Sequence, residues 1–227
     1  KAHELSEFYL KRDEAYIGVL IDDLVNKGTD EPYRMFTSRA EFRTILRQDN
    51  ADIRLTPKGY EIGLASGERL KKVEEKIKKS EELIRKMEQT KVAPEEINPY
   101  LTRISSAPIK EKSTFYNLLK RPELSIAALS GNDEIFDSVI TGYTKDQKEQ
   151  AEIKIKYEKY IEKELLLAER MSRLDEIKLN PDFNYTALKS LSIEARQKLS
   201  SVKPMNLGQA SRISGVSPAD ISVLMLY

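Results

Sequence analysis

Arg39, Arg43 and Arg47 recur at intervals of four in the stretch EPYRMFTSRAEFRTILRQDNADIR, residues 31 to 54. On an α-helix that spacing lines three guanidiniums along one face, about 6 Å apart, close to the phosphate repeat of a nucleic-acid strand. Ser38-Arg39-Ala40-Glu41 reads as a capping box opening such a helix, its hydroxyl and carboxylate taking up the first free amides. The apolar Phe42, Ile45 and Leu46 point to another face, so core packing does not account for the row. Arg39, Arg43 and Arg47, extended by Arg54, are therefore a candidate polyanion contact. The plainer alternative is a solvated face with local ion pairs to Glu41 and Asp49. Tyr33 and Phe36 stand beside Arg34 and Arg39, where rings either stack an unpaired base or anchor a core; core is the favoured reading.

Other chemistry is sparse. With His3 as the single histidine and no cysteine, no Ser/His/Asp set, transition-metal cluster or disulfide scaffold can be assembled. Asp22-Asp23 and Asp49-Asn50-Ala51-Asp52 have the residue types of acid/base or Mg²⁺ sites. Adjacent side chains diverge, so Asp22-Asp23 is read as capping or ion pairing. The second group is expected to end the arginine helix, with a role in orienting the arginines left open. Charge is balanced, 38 basic against 37 acidic residues, so a polyanion must be met by a local patch. No apolar run approaches the roughly 18 residues of a membrane span, and no signal-peptide pattern opens the chain. A soluble, cytoplasmic protein without membrane contact is expected, and a start at Lys1 suits a fragment.

These side chains need helices to hold them. A third of the residues are charged, aromatics are 7% and tryptophan is absent, which suits a mainly α fold with long exposed helices. Residues 1 to 65 read as an irregular junction segment with short helices, with turns at 27–32 and 56–60. Residues 66 to 180 form a long-helix domain. Leu70, Val73, Ile77, Ser80, Ile84 and Met87 make one heptad stripe. Ile153, Tyr157, Tyr160, Leu167, Met171 and Leu174 make another over 146–178, widened by Ile161, Leu165 and Ala168. The two helices are expected to pair antiparallel, with Pro94, Pro99 and Pro108 breaking the chain between them. Ser113 is placed as the cap of a helix carrying Phe115, Leu118 and Leu119, and no strand pattern stands out.

Residues 181 to 227 form a small helical subdomain of three helices: Ser192 to about Ser201, Asn206 to Ser214, and Pro218 onward. Gly215 is placed as a C′ residue, Ser217 as an N-cap and Pro218 at the first helical position. Ser211, Gly215 and Ile221 fit a helix-turn-helix. The recognition helix would offer Pro218, Ala219, Asp220, Ser222 and Val223, none able to read a base edge, and Asp220 would repel phosphate. Arg196, Lys198, Lys203 and Arg212 outnumber Glu194 and Asp220 there and are candidate contacts to RNA or a protein partner.

Three blocks carry a resemblance. Arg12 to Leu24 with residues 31–54, Gln150 to Ile161 (QAEIKIKYEKYI), and Lys203 to Ser222 (KPMNLGQASRISGVSPADIS) occur in order over nearly the whole chain. They resemble the large, flavin-binding subunit of the bacterial tRNA wobble-uridine modification enzyme, the glucose-inhibited division protein A family. Family members carry a Rossmann-type region with a glycine-rich fingerprint and reactive cysteines. This chain has neither Gly-x-Gly-x-x-Gly nor cysteine, so it resembles the C-terminal third of the enzyme. The resemblance implies an intact, homodimeric enzyme using FAD, NADH and a methylene-folate carbon donor, with a GTPase partner. This chain would supply tRNA contact through Arg39, Arg43, Arg47 and Arg54, and partner docking or further tRNA contact through Arg196, Lys198, Lys203 and Arg212, without chemistry or cofactor of its own. The alternatives are a DNA-binding regulator and a purely structural protein-interaction module.

Overall fold

Local capping signals set most helix starts. In the computed structural model, which describes residues 7–26 and 32–227, the chain runs through α1 (Tyr16–Asn26), a 3₁₀ turn (Thr37–Arg39), α2 (Ala51–Glu61) and α3 (Gly67–Gln89). It continues through β1 (Lys91–Val92), α4 (Pro94–Arg103), β2 (Ser113–Thr114), α5 (Phe115–Leu119), α6 (Ile126–Leu129) and α7 (Glu134–Ile140). Then come α8 (Lys145–Glu176), α9 (Ile193–Val202), α10 (Leu207–Arg212) and α11 (Pro218–Leu224). His3 and most of the turn expected at 27–32 lie outside the described residues. Ser66, Thr114, Ser125, Asp133, Ser192, Asn206 and Ser217 each accept a hydrogen bond from the amide three residues on, the N-cap geometry that satisfies one orphan donor. The protein is mainly α, as its composition implied.

The chain divides into two compact units, one of residues up to Leu46 with Glu162–Tyr227, the other of Arg47–Ile161. The second unit has one core. Leu83 and Met87 of α3 pack with Ile97 and Leu101 of α4, Phe115, Leu118 and Leu119 of α5, Phe136 of α7, and Ala151 and Ile155 of α8. Phe115 and Phe136 meet edge to face, 4.9 Å between centroids. The first heptad stripe is buried at Val73, Ser80 and Met87, with Leu83 fully buried where Ile84 was expected. The second stripe is not a seam: Tyr157, Tyr160, Leu165 and Leu167 are exposed. Residues 145–161 of α8 serve this unit and 162–176 the other, so no single seven-residue repeat is buried along its length.

Proline and strand expectations also need correction. Pro57 and Pro99 lie inside α2 and α4, where each deletes one intrahelical bond that packing offsets, so residues 56–60 are helix, not turn. Pro94 sits at the helix start that it favours. Thr114, not Ser113, caps α5, because Ser113 pairs with Val92 in a two-residue antiparallel ladder.

The first unit has two cores. In one, Val19 of α1 meets Ala40, Phe42, Leu46 and Ala168. α1 lies so close to the preceding turn that a Cβ on Gly18 would stand 2.2 Å from the carbonyl oxygen of Lys11. In the other, Tyr185 and Leu191 pack with Ala195 and Leu199 of α9, Leu207 and Ala210 of α10, and Ile221 and Leu224 of α11. The three C-terminal helices fall where their punctuation placed them. Gly215 takes φ +92°, the left-handed region expected of it, two residues beyond the C-cap of α10.

Candidate nucleic-acid interface

The arginine helix does not form. Beyond the 3₁₀ turn Thr37–Arg39, residues 40–50 run through turns, and α2 begins only at Ala51. Tertiary partners outcompete the capping box. The Glu41 carboxylate receives the Arg12 guanidinium at 2.8 Å, and the carbonyl of Arg39 accepts a further Arg12 bond at 3.1 Å. The amides of Thr44 and Ile45 donate to Glu164 at 2.9 and 3.0 Å, so the bonds that would propagate a helix are taken. Phe42 and Leu46, 2% exposed each, then anchor the segment in the core.

The four arginines consequently separate. Arg39 and Arg43 belong to the first unit, Arg47 and Arg54 to the second. Arg47 pairs with Asp49 at 3.1 Å, and Arg54 donates to Asn50 at 2.9 Å and to the carbonyl of Arg47. Asp49 also accepts from Gln150 at 2.8 Å. Burial raises the Asp49 carboxyl, but the bonds from Gln150 and Arg47 outweigh it and hold the group below its ordinary value. Asp49-Asn50-Ala51-Asp52 is therefore the start of α2, clamped by its neighbours, and not the end of an arginine helix. Among the described residues no cluster of His, Cys, Asp or Glu is arranged to hold a metal ion.

Arg39 and Arg43 remain outward. Arg43 is exposed and makes no ion pair or hydrogen bond among the described residues, and Arg39, 40% exposed, lies 4.5 Å over the Tyr33 ring and 3.7 Å from Asp23. Beneath them is a buried polar hub. Arg12, 6% exposed, donates to Asp23 at 2.7 Å, Asp22 at 3.0 Å and Glu41 at 2.8 Å. Burial disfavours its charge, yet the bonds from Glu41 and Asp23 raise its pKa above the ordinary value, so it stays cationic. Asp23 also accepts the Tyr33 hydroxyl at 2.8 Å. Burial first, and then Asp23, push that phenol up, which keeps it a donor. Asp22-Asp23 is thus an ion-pairing site as expected, although both carboxylates converge on Arg12 instead of diverging. Phe36 departs from expectation: it is half exposed and no core anchor.

The C-terminal basic set also divides. Lys198 and Lys203 are exposed, Lys203 in left-handed geometry at φ +50° as the C-cap of α9. Arg196 is half-buried, its Nε without a hydrogen-bond partner among the described residues. Arg212 is no surface group: it is 8% exposed and pairs with Asp22 and Asp175 at 3.1 Å each. Its first partner lies 190 positions away in sequence, which no local pattern reveals. Asp220 does not face outward to repel phosphate. It is buried, accepting from Ser192 N at 2.8 Å, Ser217 N at 2.9 Å and both seryl hydroxyls.

Comparison with known proteins agrees with this architecture. Residues 67–165 match the family described as tRNA modifying enzyme MnmG/GidA C-terminal helical domain, and residues 167–227 the MnmG/GidA C-terminal helical bundle. The tRNA uridine 5-carboxymethylaminomethyl modification enzyme MnmG of Cytophaga hutchinsonii is 57% identical over 227 residues, 100% of this chain and 36% of that protein. The enzyme of the same description from Alkaliphilus metalliredigens is 54% identical over 97% of the chain and 34% of its own length. The crystal structure of Aquifex aeolicus GidA (form II) superposes on all of this chain and 35% of its own, with TM-score 0.73 at 36% identity. The chain thus spans about a third of the length of the relatives it matches. Sequence, family match and fold agree that this chain belongs to the MnmG/GidA family and corresponds to its C-terminal helical region.

Proposed function

We propose that this chain supplies a tRNA-contacting surface to an enzyme that modifies C5 of the wobble uridine, and that Arg39 and Arg43 are its phosphate contacts. The observation that carries this is the sorting of charge in the first unit. Arg12 and Arg212 occupy Asp22, Asp23, Glu41 and Asp175, while Arg43 is left exposed and, among the described residues, unpaired, and Arg39 is held at the surface. Exposed guanidiniums on a rigid base suit phosphate, which they meet in a bidentate fork. Arg47 and Arg54 are assigned instead to fixing the start of α2. Lys198 and Lys203 are the outward charges of the C-terminal bundle, and we assign them to the GTPase partner or to a second part of the tRNA.

The described residues do not fit a dinucleotide. The fold that binds one needs a parallel sheet opening through a glycine-rich turn into a helix, whereas the sheet found here is a two-residue antiparallel ladder. We assign the dinucleotide folds for the FAD and NADH of the proposed cytoplasmic, homodimeric enzyme to residues outside these. Among the described residues no helix is long and apolar enough to cross a membrane. Fluorescence anisotropy of labelled bulk tRNA, titrated at two salt concentrations, tests the reading. Arg39→Glu with Arg43→Glu should weaken binding at least tenfold and flatten its salt dependence by about one phosphate contact per arginine. Unchanged affinity would refute it.

A further inference from the structure

The segment leading into the arginines has two unlike faces. Residues 32–36 form neither helix nor strand, the backbone at Phe36 is extended (φ −98°, ψ 146°), and their side chains pair off through contacts. Tyr33 and Met35 share one side: the Tyr33 hydroxyl lies 3.5 Å from the Met35 sulfur and donates to Asp23, which is 1% exposed. That side is anchored. Arg34 and Phe36 share the other, the Arg34 guanidinium 5.2 Å over the Phe36 ring. Phe36 is 50% exposed and Arg34 is also exposed. An apolar ring held in water on a fixed backbone, with a cation against it and Arg39 and Arg43 a few residues on, contributes little to folding.

We propose that Phe36, with Arg34, is a stacking platform for an unpaired RNA base, so that this loop selects single-stranded RNA over duplex. The inference rests on the tRNA reading above and deepens it. Phosphates are common to every nucleic acid, and Arg39 and Arg43 alone would not tell a loop from a helix. A ring needs a splayed base, whose face is accessible in loops and ends and hidden in a duplex. Arg34 can stack on the same base or meet the phosphate beside it, since guanidinium planes do both. The anchored side keeps the platform in place: Arg12 holds Asp23, Asp23 holds Tyr33, and Tyr33 carries Arg39.

Two RNA probes separate this from simple phosphate binding: a short single strand carrying 2-aminopurine, and a blunt duplex of the same sequence. Phe36→Ala should weaken single-strand binding by about fivefold to a hundredfold, the usual effect of losing one aromatic platform. It should abolish the quenching of 2-aminopurine and leave duplex affinity within about twofold, because the duplex offers no free base face. Phe36→Tyr should restore both signals. If Phe36→Ala leaves the single strand unaffected while the Arg39/Arg43 reversal weakens both probes, the stacking assignment is overturned and the phosphate reading stands. If neither probe binds the wild-type chain, or the reversal is silent, the phosphate reading falls and the platform with it.

Discussion

Removing the Asp220 carboxylate should destabilise the C-terminal bundle by about 3 kcal/mol, through two helix starts at once. One carboxylate closes the capping box of α11 through Ser217 N at 2.9 Å, and reaches Ser192, the N-cap of α9, at 2.8 Å. Charge-assisted bonds of this kind contribute about 1.5–3 kcal/mol each. Ser192 and Ser217 are exposed, so water can reach their amides when the carboxylate is gone, which argues for the lower value at both. Asp220→Ala should therefore cost about 3 kcal/mol, and Asp220→Asn, which keeps one acceptor oxygen, about 1–2 kcal/mol.

The effect has a pH signature. Burial raises the Asp220 carboxyl, but the bonds from Ser192 and Ser217 prevail and its pKa lies below the ordinary 3.8. A depressed acid stabilises the fold above its unfolded value, and the contribution fades as pH falls through the folded one. The gap between wild type and Asp220→Asn should be widest near neutral pH and shrink below about pH 3.8. Urea unfolding followed by far-ultraviolet dichroism from about pH 7 to about pH 3 measures it. The reasoning fails if Asp220→Ala stays within about 0.5 kcal/mol of wild type at neutral pH, or if the gap is constant down to pH 3.

Three further outcomes follow from the first unit. Arg12→Met should cost about 3–5 kcal/mol, because Asp23 at 1% exposure loses its closest cation; a urea midpoint shift equivalent to less than about 1 kcal/mol would contradict the hub. Gly18→Ala should cost more than about 2 kcal/mol, since its methyl would stand 2.2 and 2.5 Å from the carbonyls of Lys11 and Leu10 and backbone must move; thermal melting close to wild type would show the approach is looser. Lys203→Gly should stabilise by about 1 kcal/mol at a left-handed C-cap, read as a higher urea midpoint, with a drop as the contrary result.

What the sequence disclosed and what it hid divide by range of interaction. Ser192, Asn206, Ser217, Pro218 and Gly215 each act on residues within three or four positions, and the C-terminal helices start where they indicate. The buried face of α3 was legible at Val73, Ser80 and Met87 because α3 lies in one unit throughout. The stripe on α8 misled because that helix serves two cores and leaves Tyr157 and Tyr160 in water. The capping box at Ser38 was legible and wrong. Its Glu41 had a stronger partner 29 residues upstream, and the amides it would have organised were taken by Glu164, 120 residues downstream.

That failure also sorts the arginines proposed to meet RNA. Spacing treats Arg39, Arg43, Arg47, Arg54 and Arg212 alike, but a guanidinium can reach a phosphate only if its donors are free and its approach is open. Arg212 is spent on Asp22 and Asp175, Arg47 on Asp49, and Arg54 on Asn50. A phosphate bound to any of them would first have to displace a protein partner, leaving that partner uncompensated and cancelling much of the gain. Arg43 has no such competitor among the described residues, and Arg39 has a 3.7 Å contact to Asp23, whose charge Arg12 already offsets, beside its approach to the Tyr33 ring. On the proposed reading Arg12 would act without touching the ligand: by pairing with Asp22, Asp23 and Glu41 it offsets negative charge that would otherwise oppose a polyanion at the loop.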